Sequence, residues 1–134
     1  IKIDTLNSFI WVGRGIPYRW IIMQKDNKKF YKNIENTWKR FDVLINNNIP
    51  EITISKYYKK NYEIIHEKKK VKVIRGLYEH EETQTGGPFV TYLFEQKGND
   101  DLILITGFVN NPANKKLKLL EELEIIIKTI QLGV

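Results

Sequence analysis

The hydrophobic pattern is densest between residues 70 and 109, where three runs of β-branched and aromatic residues follow one another. They are Val71–Tyr78, Phe89–Glu95 and Leu102–Val109. Short runs of this composition bounded by turn formers are typical of β-strands. Both faces of these strands are apolar, so we expect helices to cover the sheet, either both on one face or one on each. Shorter runs predict further strands at Ser8–Val12, Tyr18–Met23, Ile52–Ile54 and Tyr62–His66.

Two longer segments repeat apolar residues every three or four positions, which predicts amphipathic helices. The first begins at an N-cap, Asp26 or Asn27, ends at Asn46–Asn48, and has an apolar arc of Phe30, Tyr31, Ile34, Trp38, Phe41, Leu44 and Ile45. The second begins at Asn111–Pro112 and has an arc of Leu119, Leu120, Leu123, Ile126, Ile127 and Ile130. The predicted fold class is therefore α+β: an antiparallel β-sheet of about five to seven strands packed with two long amphipathic helices.

Length and composition indicate a single domain over residues 1–134. Hydrophobic residues make up 42% of the chain, and no stretch approaches the roughly 18 apolar residues that a membrane helix needs. The absence of cysteine excludes disulfides and thiol nucleophiles. The chain opens at Ile1 rather than at an initiator Met, so we expect either that a segment before Ile1 was removed or that the chain is part of a longer protein.

The basic residues do not single out a nucleic acid as partner, although the formal net charge is +6. Lysines cluster at Lys56–Lys60 and Lys68–Lys72 with tyrosines between them, a pattern that can bind nucleic acid or anionic lipid headgroups. We interpret this region instead as a solvated surface whose tyrosine rings pack inward. The nearby acidic loop Glu79–Glu82 lowers the positive electrostatic potential of this region. We therefore expect no nucleic-acid partner.

Residue types that carry catalysis or bind metals are scarce. The chain has two serines, Ser8 and Ser55, and two histidines, His66 and His80, without a nucleophile-elbow or Ser-x-x-Lys motif. The loop Glu79–Glu82 lacks the spacing of a metal-ligand set. The sequence thus predicts no catalytic residue, no cofactor and no metal site, and we expect the protein not to be an enzyme.

Arg75 is the most informative charged residue. In its strand it alternates with Val71, Val73 and Leu77, so it shares an apolar face. A buried charge without a partner is costly. We therefore predict a structural role for Arg75, partly buried and bonded to glutamates of the closing helix or to carbonyls at the Gly86–Pro88 corner.

The segments Arg75–Tyr78, Gly86–Tyr92, Gly107–Val109 and Glu121–Ile127 occur in the order and approximate spacing of a known family. With them the chain resembles an uncharacterised family of Bacteroidota envelope lipoproteins, a domain of unknown function with Arg-Gly-Leu-aromatic, Gly-Gly-Pro-Phe and Gly-Phe-Val motifs. Tyr78 stands where the family usually has Trp. The resemblance implies the C-terminal half of a lipid-anchored protein, either periplasmic or at the outer membrane. It brings no catalytic residues.

The sequence and the resemblance together lead us to expect a non-enzymatic cell-envelope lipoprotein domain that binds or supports a protein partner in a membrane-associated assembly. That partner is either the N-terminal half of the same protein or a separate protein. An apolar stripe of the closing helix, separate from its inner arc, marks a contact surface. The alternative is a small-ligand or glycan-binding module. The candidate interface residues are Gly86, Gly87, Pro88, Phe89, Leu117, Ile125 and Leu132, and the aromatic residues of the alternative are Trp11, Tyr18 and Trp20.

Overall fold

The computed structural model describes residues 2–4, 9–14, 18–81, 85–110 and 116–129. Within them the chain forms one antiparallel sheet of seven strands, in the order β1-β2-β3-β7-β6-β5-β4. The strands are β1 (Lys2–Asp4), β2 (Phe9–Arg14), β3 (Tyr18–Asn27), β4 (Ile52–His66), β5 (Lys69–His80), β6 (Thr85–Glu95) and β7 (Asp101–Asn110). A 3-10 turn (Lys28–Tyr31) and helix α1 (Ile34–Asn48) lie between β3 and β4, and helix α2 (Lys116–Thr129) follows β7.

The predicted fold of a sheet with two long amphipathic helices is wrong. Strands hold most of the described residues, and five of them have ten residues or more, whereas α1 has 15 residues and α2 has 14. The first predicted helix is divided because Asn27 caps the 3-10 turn and Asn33 then caps α1, accepting a hydrogen bond from the backbone N–H of Asn36 at 2.8 Å. The second is described only from Lys116 to Thr129, so Ile130 lies outside the described residues.

Strand β4 also departs from the sequence prediction. Two separate strands were expected at Ile52–Ile54 and Tyr62–His66, but a single strand of 15 residues pairs with β5, with a shift of register between Ile54 and Lys59. An edge strand tolerates the intervening lysines and tyrosines because it needs a partner on one side only. The hairpin that follows turns through Glu67 and Lys68, both at positive φ, 50° and 66°.

Each face of the sheet carries its own core and its own helix. On one face, here called the α1 face, Trp38, Phe41 and Ile45 of α1 join a cluster with residues of β3 to β7. On the other, the α2 face, α2 packs through its buried residues Leu120, Leu123 and Ile127. Gly107 of β7 permits this approach, because a Cβ there would lie 3.2 Å from the Leu123 side chain. Of the two arrangements left open by the sequence, one helix on each face is observed.

A polar clamp at the end of β3 fixes α1 to the sheet. The Asp26 carboxylate accepts hydrogen bonds from Arg40 Nε at 2.6 Å and Nη2 at 3.0 Å, and from the Tyr31 hydroxyl at 2.7 Å. Burial by itself would raise the pKa of Asp26, but these hydrogen bonds outweigh it and hold the pKa below its usual value. The Arg40 guanidinium also lies 3.9 Å from the centre of the Phe30 ring. The clamp therefore joins β3, the 3-10 turn and α1.

Candidate functional site

Arg75 on β5 lies at the centre of a polar cluster beneath α2. Its Nε donates to the Tyr62 hydroxyl at 2.7 Å, and its Nη2 donates to Oε1 of Glu124 on α2. The Tyr92 hydroxyl donates to the same carboxylate oxygen at 2.9 Å. The side chains of Arg75 and Glu124 are 26% and 12% exposed, so the ion pair is mostly buried but still in contact with water.

This cluster joins α2 to the sheet. Burial disfavours the charged form of Arg75, but the hydrogen bonds to Glu124 and Tyr62 outweigh burial and raise its pKa. Burial and the bond to Glu124 also raise the pKa of Tyr92, so its hydroxyl stays a donor. The sequence pointed to glutamates of the closing helix, but it carried no signal for Tyr62 or Tyr92, because strand pairing alone brings β4 and β6 beside Arg75.

The predicted corner at Gly86–Phe89 lies within the sheet. A Cβ would lie 2.1 Å from the Tyr78 carbonyl oxygen if added to Gly86, and 2.0 Å from that of Val109 if added to Gly87. Phe89 is fully buried and stacks on the Phe41 ring at 5.3 Å between centroids. Its assignment to a contact surface is therefore wrong, because the ring belongs to the α1-face core. Gly86, Gly87 and Pro88 keep partial exposure.

The outer side of α2 retains exposed apolar residues. Ile125 is 63% exposed and the adjacent Ile126 is 44% exposed. The prediction that Ile126 belongs to the inner arc is wrong, because the residues buried against the sheet are Leu120, Leu123 and Ile127, and Ile126 lies on the flank of that arc. The Leu117 side chain and Leu132, which complete the predicted stripe, lie outside the described part of the structure.

Trp20 lines a small cavity at the edge of the α1-face core. The cavity has a volume of about 50 Å³, and its other lining residues are Ile22, Ile49, Ile52 and His80. His80 Nδ1 is buried without a hydrogen-bond partner, and so is the hydroxyl of Tyr78, whose ring centroid lies 6.3 Å from that of Trp20. The side chains of Trp11 and Tyr18 lie outside the described residues. Of the three aromatic residues of the alternative hypothesis, the structure therefore places Trp20 at a cavity.

Of the other residues considered for chemistry, Ser55 and His66 lie on β4 and His80 lies on β5, whereas Ser8 lies outside the described residues. Across the described residues, no group of three or more His, Asp or Glu side chains is arranged to hold a metal ion. His66 packs edge-on against Phe94, with centroids 6.3 Å apart, and Ser55 accepts a hydrogen bond from the backbone N–H of Tyr57 at 3.2 Å. Ser55 and His66 belong to the same extended strand, eleven positions apart, so they are far beyond hydrogen-bonding reach at about 3.3 Å per residue.

One antiparallel sheet between two helices, with an ion pair under α2, defines the protein as a mixed α and β domain dominated by its sheet. Neither described helix has the length and apolar character needed to cross a membrane. The chain belongs to the family described as a domain of unknown function, DUF4837, which matches residues 4–129. Curated proteins gave no match. Membership of a domain family of unknown function is thus confirmed, and the assignment to Bacteroidota envelope lipoproteins stays a prediction.

Proposed function

We propose that the protein is a non-enzymatic domain of a cell-envelope lipoprotein that binds or supports a protein partner in a membrane-associated assembly. The observation that carries this proposal is the exposure of two adjacent isoleucines, Ile125 and Ile126, on a helix whose inner side is already packed. Contiguous exposed apolar surface commonly marks a contact with another protein. The lipid anchor and the envelope location rest on the motif resemblance.

The geometry of α2 extends this apolar surface onto the sheet. Leu123 lies over Gly107 of β7, and Glu124 faces β5 and β6 through Arg75 and Tyr92. Because a helix turns by about 100° per residue, Ile126 is about 200° around the axis from Glu124 and faces the β3 side. The partly buried side chains of that side of the sheet are Ile21, Met23 and Ile103. We infer that this helix flank and these strand residues together form the apolar surface that a partner contacts.

A photo-reactive amino acid at position 125 tests this surface in the intact protein in its native cells. We expect a discrete protein adduct from position 125, and no such adduct from Val43, which is 47% exposed on α1 and serves as the matched control. Ile125→Glu combined with Ile126→Glu should abolish partner binding and leave the melting curve of the isolated domain unchanged. Equal adducts from both positions, or unfolding of the double variant, would contradict the proposal.

A second candidate function is the binding of a small ligand at the cavity beside Trp20. It is favoured by the unpartnered Nδ1 of His80, a residue that lines this cavity. A cavity of about 50 Å³ admits a few atoms, since one water molecule takes up about 30 Å³ in the liquid. A glycan would thus insert only an edge. Titration with monosaccharides should shift the Trp20 indole resonance saturably in the native domain and not in His80→Leu, and no shift would exclude this function.

A further inference from the structure

Strand β4 is a long edge with one open side. It has 15 residues, lies at the end of the strand order and pairs with β5 alone among the described strands. The backbone N–H and C=O groups on the far side of such a strand have no ladder partner, so they form a template for another extended segment. Side chains at this edge are also accessible, because seven consecutive residues, Lys56 to Tyr62, are exposed.

The hairpin of β4 and β5 is basic along this edge. Seven lysines and two glutamates lie between residues 56 and 72, and three of these lysines and one of these glutamates lie on β4 itself. None of these lysines forms an ion pair with a described residue; instead the amines of Lys59 and Lys60 lie 5.2 Å and 5.6 Å from the ring centres of Trp38 and Tyr58. The edge therefore presents a net positive charge, which favours an acidic occupant.

A cleft of about 360 Å³ adjoins β4 on the α1 face. Lys72, Asn61 and Glu63 line its sheet side, and Lys32 and Ile34 line its helix side; the remaining lining residues are Asn33, Thr37, Tyr62, Val73 and Ile74. An added strand would place every second side chain on this face, next to Asn61 and Glu63. Recognition by strand addition combines main-chain bonds with pockets for alternate side chains, and this edge offers both.

We propose that the β4 edge binds an acidic extended peptide segment of a partner protein as an eighth strand, with one of its side chains entering this cleft. Lysines on an edge strand also discourage aggregation. Protection of this kind does not account for the exposed apolar and aromatic side chains on the same strand, Ile65 at 68% and Tyr57 at 99%. A second copy of this chain is disfavoured as occupant, because pairing two β4 edges would bring lysines of one copy beside lysines of the other.

The test uses two seven-residue peptides, one alternating Glu with Val and one alternating Lys with Val. Binding to the whole chain is followed by NMR titration and amide hydrogen exchange. The Glu-Val peptide should bind saturably, and every second amide between Lys59 and Ile65 should gain protection, because in a strand alternate N–H groups point away from β5. Lys59→Glu with Lys60→Glu should weaken binding by about tenfold or more, whereas the matched control, Lys29→Glu with Lys97→Glu, should change it less than about twofold.

Several results would overturn this proposal. They include absence of Glu-Val binding, equal binding of the Lys-Val peptide, binding without the alternating protection, and protection of β4 in the free protein through self-association. Binding only to phosphatidylglycerol vesicles would assign the edge to a membrane surface and would overturn it as well. This surface is separate from Ile125 and Ile126, so failure here leaves the cross-linking result from position 125 unaffected.

Discussion

Replacing Glu124 with leucine removes the acceptor that holds two groups of the sheet, Arg75 Nη2 and the Tyr92 hydroxyl. A hydrogen bond to a charged group contributes about 1.5–3 kcal/mol, and loss of one partner of a fully buried ion pair costs about 3–5 kcal/mol. Arg75 is 26% exposed and can recover water, which lowers the expected cost. We therefore expect Glu124→Leu to reduce the free energy of unfolding by roughly 2–4 kcal/mol.

Urea titrations of the wild type, Arg75→Met, Glu124→Leu and the double variant measure this in a thermodynamic cycle. We expect a coupling energy of roughly 1–3 kcal/mol between Arg75 and Glu124. Tyr62→Phe serves as a control, because it removes one bond to Arg75 from the exposed side and should cost only about 0.5–1.5 kcal/mol. A coupling energy below about 0.5 kcal/mol would refute the reasoning, since the two groups would then act independently.

Three further predictions concern α1, its clamp and the β4–β5 hairpin. Trp38 is 7% exposed and packs against Phe89, so Trp38→Ala should lower the unfolding free energy by roughly 3–5 kcal/mol in urea; a loss below about 1 kcal/mol would show that it does not anchor α1. Asp26 has a lowered pKa, so its ionised form stabilises the fold above its unfolded pKa of about 3.9, and this stability is lost as pH falls through the folded pKa. Asp26→Asn should thus be roughly 1.5–3 kcal/mol less stable than wild type at pH 7, with the difference shrinking near pH 2, and an unchanged difference would contradict this. Glu67→Asn with Lys68→Gly should raise the unfolding free energy by about 0.5–2 kcal/mol, because both positions have positive φ, and a loss of stability would exclude strain at the turn.

The sequence predicted elements whose periodicity is strong and failed where polar residues interrupt it. The predicted strands at Phe89–Glu95 and Leu102–Val109 are confirmed as a pair. They are apolar on both faces because one face packs in the α1-face core and the other packs in the α2-face core. The first helix was predicted too long because Phe30 and Tyr31 continue the helical spacing. Asn33 interrupts the helix, because its backbone is extended and its side chain accepts a hydrogen bond from the backbone N–H of Asn36, which starts α1 as a separate helix.

The candidate site shows the same limit. Arg75 was recognisable from the sequence because a charge alternating with Val71 and Val73 needs compensation. The glycine pair led to the wrong assignment of the buried Phe89 to a surface, whereas Gly86 and Gly87 themselves keep partial exposure. Glycines occur both in exposed corners and where two backbones approach closely. At Gly87 the structure shows a close approach, because an added Cβ would lie only 2.0 Å from the Val109 carbonyl oxygen. A single sequence does not distinguish a glycine in an exposed turn from a glycine at a close approach between two strands.

Strand β4 changes register near its lysine- and tyrosine-rich centre, which is why the sequence pattern did not predict a strand there. The same register shift lets β4 contribute to both cores. Before the shift, Ile52 and Ile54 point into the α1-face core. After it, Tyr62 pairs with Val73 and bonds Arg75, and Ile64 packs against the α2-face core. All four positions are even-numbered, so a regular strand would place them on one face, and the irregularity between Ile54 and Lys59 moves the second pair to the other. One edge strand thus contributes to both cores. Most of the side chains at the irregularity are exposed, Tyr57 at 99%, and they adjoin the stretch Lys59–Ile65 where we place the acidic partner.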